Sequence, residues 1–291
     1  MQKRWKFWKV WKRLRNRRRK PWTLADRQRG ALDAVAHFPR NPNAPKHALS
    51  APLIVSLTSY PPRFPWLYRT LLSLLDQTIR PDKIALWIAH EDLSRLPPEI
   101  LSLQGDRLTI HACEDLRNFK RLVPALDVYT DSFIVFADDD MYYPDDWLRR
   151  LAETFDRDDP TVVCYRGSRI RRTAGGKLTS YRTWRDARDA KSERPSTDLL
   201  PVNQTGVLYP PGSLPAFAND YGLIRKLSPT SDEVWLFFMW RLAGWRVRRV
   251  PGKLPEFAEW PGSQEHALWK MHRGGTKDDH FRTMAEHFGT P

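Results

Sequence analysis

Short apolar runs alternate with polar, periodic stretches from residue 53 onward. LIVSLTS at 53–59 is rich in β-branched residues and closes on Pro61-Pro62, which predicts a buried strand ended by a turn. A helix is predicted from about Trp66 to Asp76, then further strands at 83–89 (KIALWIA) and 107–113 (RLTIHAC). Asn118–Thr130 reads as helical, with Pro124 marking either its first turn or a kink, and SFIVFAD at 132–138 is the fourth apolar strand. A helix is expected from Pro144, a fifth strand at 161–167, and a short apolar piece within 202–214 between Gly and Pro turns. SDEVWLFFMWRLAG at 231–244 predicts a helix capped by Ser231, opened by two acids and stopped by Gly244, and WRVRRVPG then resembles an edge strand. Residues 168–200 are polar and Arg-rich, which suits an excursion or loop over a site.

Strands separated by helices specify an α/β fold with a mostly parallel central sheet flanked by helices, in a single domain over 52–291. Such sheets place ligands at the carboxyl ends of their strands. The 291 residues, 41% hydrophobic, are enough for a substantial core. Cys113 and Cys164 supply neither a disulfide framework nor a Cys/His metal cluster.

The net charge of +14 suggests a nucleic-acid partner until it is located. Residues 1–20 hold 11 Lys/Arg and no acid, and residues 21–291 keep only +3. A nucleic-acid-binding role led by this arm is therefore the weaker reading. As a helix the arm puts Phe7, Val10, Trp11 and Leu14 on one face, with Trp5 and Trp8 among the flanking aromatics and Lys6, Lys9 and Arg13 opposite. That pattern fits an anionic membrane surface, where each Lys or Arg contributes about 1 kcal/mol. Its interleaved charges do not form a cleavable signal peptide. Residues 21–51 are expected to be partly helical, with four prolines in 37–52 marking a linker.

Asp138-Asp139-Asp140 directly follows the fourth strand. Acid runs also occur as solvated turns and helix caps, but five apolar residues in front of this one favour a site. Three adjacent carboxylates repel one another, and a hard divalent cation relieves that repulsion. In extended chain Asp138 and Asp140 point to one side and Asp139 to the other.

VSLTSYPPRF, a Lys or Arg before the fourth strand (Lys120 or Arg121), FADDDMYYP, GVLYPPG and SDEVWLFF together resemble bacterial glycosyltransferases of the GT-A fold, near the family 2 type. The resemblance implies sugar transfer from a nucleotide-sugar donor, aided by Mn²⁺ or Mg²⁺. It assigns Thr58, Ser59, Arg63, His90, Glu91, Lys120, Asp138 and Asp139 to the donor, and Asp138, Asp140 and His272 to the metal. Gly206 and Tyr209 then form the acceptor-side wall, and Asp232 or Glu233, with Asp232 preferred, is the general base. At a helix start those two acids also serve as capping charges. The implied acceptor is lipid-linked or a polysaccharide, in cell-surface glycan synthesis at the cytoplasmic face of the membrane. A nucleotidyltransferase or other metal-dependent phosphoryl-transfer enzyme is the rival, although TSYPPRFP offers prolines where a phosphate loop needs glycines. The Asn203-Gln204-Thr205 sequon reads as incidental.

Overall fold

A computed structural model describes residues 23–184, 193–266 and 276–290. The arm residues Trp5, Phe7, Trp8, Trp11 and Leu14 lie outside the described residues. The strands are β1 (Leu53–Thr58), β2 (Lys83–Ala89), β3 (Leu108–Cys113), β4 (Phe133–Phe136), β5 (Met141–Tyr142), β6 (Val162–Cys164), β7 (Gly167–Arg169), β8 (Leu199–Pro201), β9 (Val207–Tyr209), β10 (Val247–Arg249) and β11 (Ala258–Glu259). The longer helices are α1 (Leu24–Ala36), α2 (Phe64–Leu75), α3 (Val123–Val128), α4 (Trp147–Thr154), α5 (Tyr221–Leu227), α6 (Asp232–Leu242) and α7 (Thr276–Phe288). No helix among the described residues is long and apolar enough to cross a membrane.

Seven strands form one sheet in the order β10-β6-β9-β4-β1-β2-β3. Ser56 of β1 lies opposite Ala85 on one side and Phe136 on the other, both in parallel register. Only β9 runs antiparallel, between β4 and β6. Burial on both faces explains why β1, β2 and β4 read as continuous apolar runs rather than alternating ones. One apolar layer, containing Leu67, Leu71, Trp147 and Leu151, covers one face of the sheet, and a second, built on Trp235, Phe237, Trp240 and Phe281, covers the other.

Several boundaries differ from the sequence reading. The expected fifth strand divides: β6 stays in the main sheet, whereas β7 leaves to pair with β8, with Ser168 opposite Leu200. Gly167 permits that close pairing, because a Cβ there would fall 2.6 Å from Leu199 Cγ. The helix expected from Asn118 begins as a tight 3₁₀ turn over Arg117–Arg121, and Pro124 sits in the first turn of α3. The helix expected from Pro144 starts at Trp147, after a turn in which Trp147 N–H donates to Pro144 O at 2.9 Å.

Residues 37–52, read as a linker, are strapped to the body instead. Asp76 accepts from the Arg40 and Asn41 N–H groups at 2.7 and 2.8 Å and from Arg40 Nε at 2.7 Å. Asp82 lies 2.6 Å from His47 Nε2 and accepts from Lys46 Nζ at 2.7 Å and Leu53 N–H at 2.8 Å. Burial raises the Asp82 pKa, but those partners outweigh it and hold the carboxyl down to about 2. Prolines remove donors and hide the strap from periodicity analysis, while short polar anchors hold it. Ahead of the strap, α1 is opened by a Thr23–Asp26 capping box and packs Ala31 against Tyr142, Ala258 and Trp260.

Candidate active site

The site forms where β1 and β4 end side by side. Beyond β4 the chain leaves extended geometry at Phe136 and turns through Asp139 and Asp140. The expected alternation of side chains therefore fails: Asp139 does not face away from Asp140, because both reach Arg63. Arg63 Nη1 lies 3.2 Å from Asp139 Oδ1 and 2.5 Å from Asp140 Oδ2. Ser59 Oγ donates to Asp139 Oδ2 at 2.6 Å, and Gln264 Nε2 donates to Asp140 Oδ2 at 2.8 Å. From below, Thr70 Oγ1 donates to Asp139 O and Met141 O and accepts from Trp260 Nε1.

Asp138 turns to a second arginine. Arg121 Nη1 pairs with Asp138 Oδ1 and donates to Ala137 O at 2.9 Å. The same guanidinium donates through Nη2 and Nε to Asp232 Oδ2, at 2.6 and 3.1 Å. Ser231 caps α6 by accepting from Val234 N–H, which fixes Asp232 and Glu233 in the first helical turn. Glu233 Oε2 pairs with Lys277 of α7, and Glu233 Oε1 accepts from Asn203 N–H at 3.3 Å. Asp138 N–H donates to Tyr143 Oη at 2.7 Å, and that hydroxyl donates to Gln204 O at 3.2 Å.

Four carboxylates, Asp138, Asp139, Asp140 and Asp232, thus meet two buried guanidiniums. Burial disfavours the charged arginines, yet Asp139 and Asp140 raise the pKa of Arg63, and Asp232 and Asp138 raise that of Arg121. Burial also pushes Asp140 up to about 7, reinforced by the Asp139 and Asp138 charges and opposed by Arg63. Asp139 is raised chiefly by burial, against Arg63 and Ser59. The cluster remains short of positive charge, and this fits a divalent cation. Among the described residues no three His, Cys, Asp or Glu side chains form a metal cage.

The other predicted positions divide into those that join this cluster and those that do not. Thr58 Oγ1 donates to Trp87 O, locking the end of β1 to β2. His90 and Glu91 are exposed beyond β2, with His90 Nε2 3.9 Å from Glu114 Oε1, outside the buried network. Lys120 was the expected donor contact, but its Nζ donates to Asp115 at 2.9 Å, and Arg121 is the residue that enters the cluster. The cause is the 3₁₀ turn, which rotates successive residues by about 120°. Gly206 and Tyr209, expected on the acceptor side, are both buried. Gly206 has φ +97, and a Cβ there would fall 2.5 Å from Trp147 Nε1, so its immediate role is to admit that indole. Tyr209 Oη donates to Asn203 Oδ1 at 3.2 Å, and Asn203 itself is buried, which agrees with an incidental sequon. His272 lies outside the described residues.

Tyr143, Gln204, Gln264 and Lys277 join the site without being among the residues expected there. Tyr143 follows the acid triplet directly in YYP and was visible in principle. Lys277 reaches Glu233 from a helix 44 residues downstream, and no local pattern signals that pairing.

The model of Glycosyl transferase family 2 matches residues 114–213, which include Arg121, the acid triplet, Asn203 and Gly206. No curated protein matches the chain. Among solved structures, the inositol-1-phosphate CTP transferase from T. maritima is similar at 11% identity and a TM-score of 0.43, covering 82% of this chain and 98% of that one. The family match spans the acid triplet in which the mostly parallel sheet ends, and it makes residues 114–213 similar to the family 2 glycosyltransferases.

Proposed function

We propose that this protein transfers a sugar from a nucleotide-sugar donor to a hydroxyl of a lipid-linked or polysaccharide acceptor, inverting the anomeric carbon. The observation that carries this reading is the Asp138–Arg121–Asp232 bridge, which joins the acid triplet to a carboxylate at the start of α6. Arg63 and Arg121 supply fixed positive charge beside the place where a leaving diphosphate develops negative charge. Mn²⁺ or Mg²⁺, held by Asp138 and Asp140, would add Lewis-acid stabilisation of that leaving group.

Asp232 is the better candidate for the base. Both oxygens of Glu233 are engaged, by Lys277 and by Asn203 N–H, whereas Arg121 contacts only Oδ2 of Asp232. In the reaction the acceptor oxygen bonds to the anomeric carbon, its proton passes to Asp232, and the sugar–phosphate bond breaks to release nucleoside diphosphate. The basic aromatic arm, residues 1–20, would hold the enzyme on the cytoplasmic face of an anionic membrane, close to a lipid-carried acceptor.

The test is release of nucleoside diphosphate from a panel of nucleotide sugars, with and without Mn²⁺. Metal-dependent release that Asp140→Asn abolishes is the expected result. Release of pyrophosphate from nucleoside triphosphates, with no turnover of nucleotide sugars, would reassign the site to nucleotidyl transfer. Removal of residues 1–20 should eliminate binding to phosphatidylglycerol vesicles and spare turnover of a soluble acceptor.

A further inference from the structure

One short stretch of chain, Trp260 to Gln264, holds both the backbone and the carboxylate of Asp140. Trp260 N–H donates to Asp140 O at 3.0 Å, and Gln264 Nε2 donates to Asp140 Oδ2 at 2.8 Å. Ser263 N–H closes the turn between them on Trp260 O at 3.1 Å. The buried Trp260 indole donates from Nε1 to Thr70 Oγ1 at 2.8 Å, and that hydroxyl meets Asp139 O and Met141 O. Trp260 therefore secures the chain at Asp139, Asp140 and Met141, directly or through Thr70.

This clamp hangs on a small ladder outside the main sheet. β11 pairs with β5 alone in a two-stranded sheet, with Ala258 opposite Tyr142 and Glu259 opposite Met141. Two such short strands are marginal in water unless another element packs on them. α1 supplies that packing. Its buried residue, Ala31, joins Tyr142, Ala258 and Trp260 in an apolar cluster separate from the two layers on the main sheet. Gln28, three residues earlier and so on the same helical face, donates from Nε2 to Glu259 O at 3.0 Å. Within the cluster Tyr142 meets Trp260 edge to face, with ring centroids 6.0 Å apart. On α2, Trp66 Nε1 donates to Pro261 O at 2.9 Å and steadies the turn after β11.

Resting on the glycosyltransferase reading above, we propose that Gln28 and Ala31 of α1 are positioning residues for the divalent ion: they seat β11 and Trp260, and Trp260 sets Asp140. The groups that hold a metal-binding side chain in place govern affinity for the ion, because an unsupported carboxylate must be ordered when the ion binds. Gln28 and Ala31 carry no charge, so their influence on the ion passes through packing and the Trp260–Asp140 hydrogen bond. A helix lying ahead of β1 in the chain thereby becomes part of the support of the acid triplet.

The experiment uses the full chain and three variants. Ala31→Leu overfills the contact with Trp260, Gln28→Ala removes the bond to Glu259 O, and Ala25→Leu adds the same bulk at an exposed position of α1. Affinity for Mn²⁺ alone is read from the electron paramagnetic resonance signal of the free ion. Hydrogen exchange is followed in peptides covering 138–143 and 258–264, with a β2 peptide reporting the stability of the main sheet. In Ala31→Leu the Mn²⁺ dissociation constant should rise about tenfold and exchange should quicken in both site peptides but not in β2. Gln28→Ala should show the same pattern more weakly, and Ala25→Leu should match the unmodified protein. If Ala31→Leu loosens the whole chain, Gln28→Ala decides. Unchanged Mn²⁺ affinity in the deciding variant would overturn the proposal and leave α1 a structural brace, as would quickened exchange confined to 258–264 or an unmodified protein that binds no Mn²⁺. Failure of the glycosyltransferase reading shows itself separately: Mn²⁺ affinity would still respond to Ala31→Leu, while no nucleotide sugar would release its nucleoside diphosphate.

Discussion

Arg121 donates twice to a single oxygen of Asp232, from Nη2 at 2.6 Å and Nε at 3.1 Å, while its remaining nitrogen holds Asp138. The guanidinium is buried, so its removal strands two carboxylates in low dielectric. Breaking a buried pair from one side costs about 3–5 kcal/mol. Arg121→Ala should accordingly lower the melting temperature sharply and abolish turnover. Arg121→Lys keeps the charge but has no fork with which to span both partners. It should recover much of the stability while kcat stays at least tenfold low. Full recovery of kcat in the lysine variant would show that charge alone suffices and that the bridge has no catalytic role.

The Asp140 carboxyl, raised to about 7 by burial and by its acidic neighbours, predicts two pH dependences of known sign. Without a divalent ion the native state holds a proton between about pH 4 and 7 that the unfolded state has lost. Stability should therefore fall as pH rises through that window, opposite to the behaviour of an aspartate whose pKa folding lowers. A cation must displace that proton, so apparent Mn²⁺ affinity should rise by up to about tenfold per unit below pH 7 and level off above it. Denaturant unfolding in chelator, together with Mn²⁺ titrations at several pH values, measures both. In Asp140→Asn the stability trend should flatten.

Much of this arrangement was legible from residue pattern alone. β1, β2 and β4 are buried on both faces and leave apolar runs, two of which end where the chemistry begins, and the acid triplet stands out because nothing in a folded core otherwise tolerates it. What was hidden depends on local geometry or on distance along the chain. Lys120 and Arg121 are interchangeable until the 3₁₀ turn decides which of them faces Asp138. Lys277 and Glu233 meet only through the packing of α7 on α6. The strap over 37–52 has the composition of a linker, yet Asp76 and Asp82 hold it, and neither acid carries a motif.

The acids of α6 should separate kinetically. Asp232→Asn preserves shape and the Arg121 contact but cannot accept a proton, so kcat should fall by about 10²–10⁴ with donor KM nearly unchanged. Glu233→Gln disturbs a contact to Lys277 and a backbone N–H, so its effect should appear in stability and acceptor KM more than in kcat. Steady-state kinetics of both variants with one donor decides the assignment. A larger loss of kcat in Glu233→Gln would transfer the base to that residue.

Gly206 links backbone conformation to the acid triplet through two aromatic rings. Its φ of +97 is strained for any other residue, and its missing Cβ leaves room for the Trp147 indole, whose Nε1 donates to Thr205 O at 2.8 Å. Trp147 packs against Tyr143 with ring centroids 4.4 Å apart, and the Tyr143 hydroxyl accepts from Asp138 N–H. Gly206→Ala combines a left-handed-region penalty with overpacking, together roughly 3 kcal/mol of destabilisation. Because the displaced indole pushes on the tyrosine that holds Asp138, donor turnover should fall as well, even where the variant is fully folded. Adding Trp147→Phe removes the ring edge that the new methyl would strike, and it should restore part of both losses. If the double variant shows no recovery, the coupling from Gly206 to Asp138 does not run through Trp147.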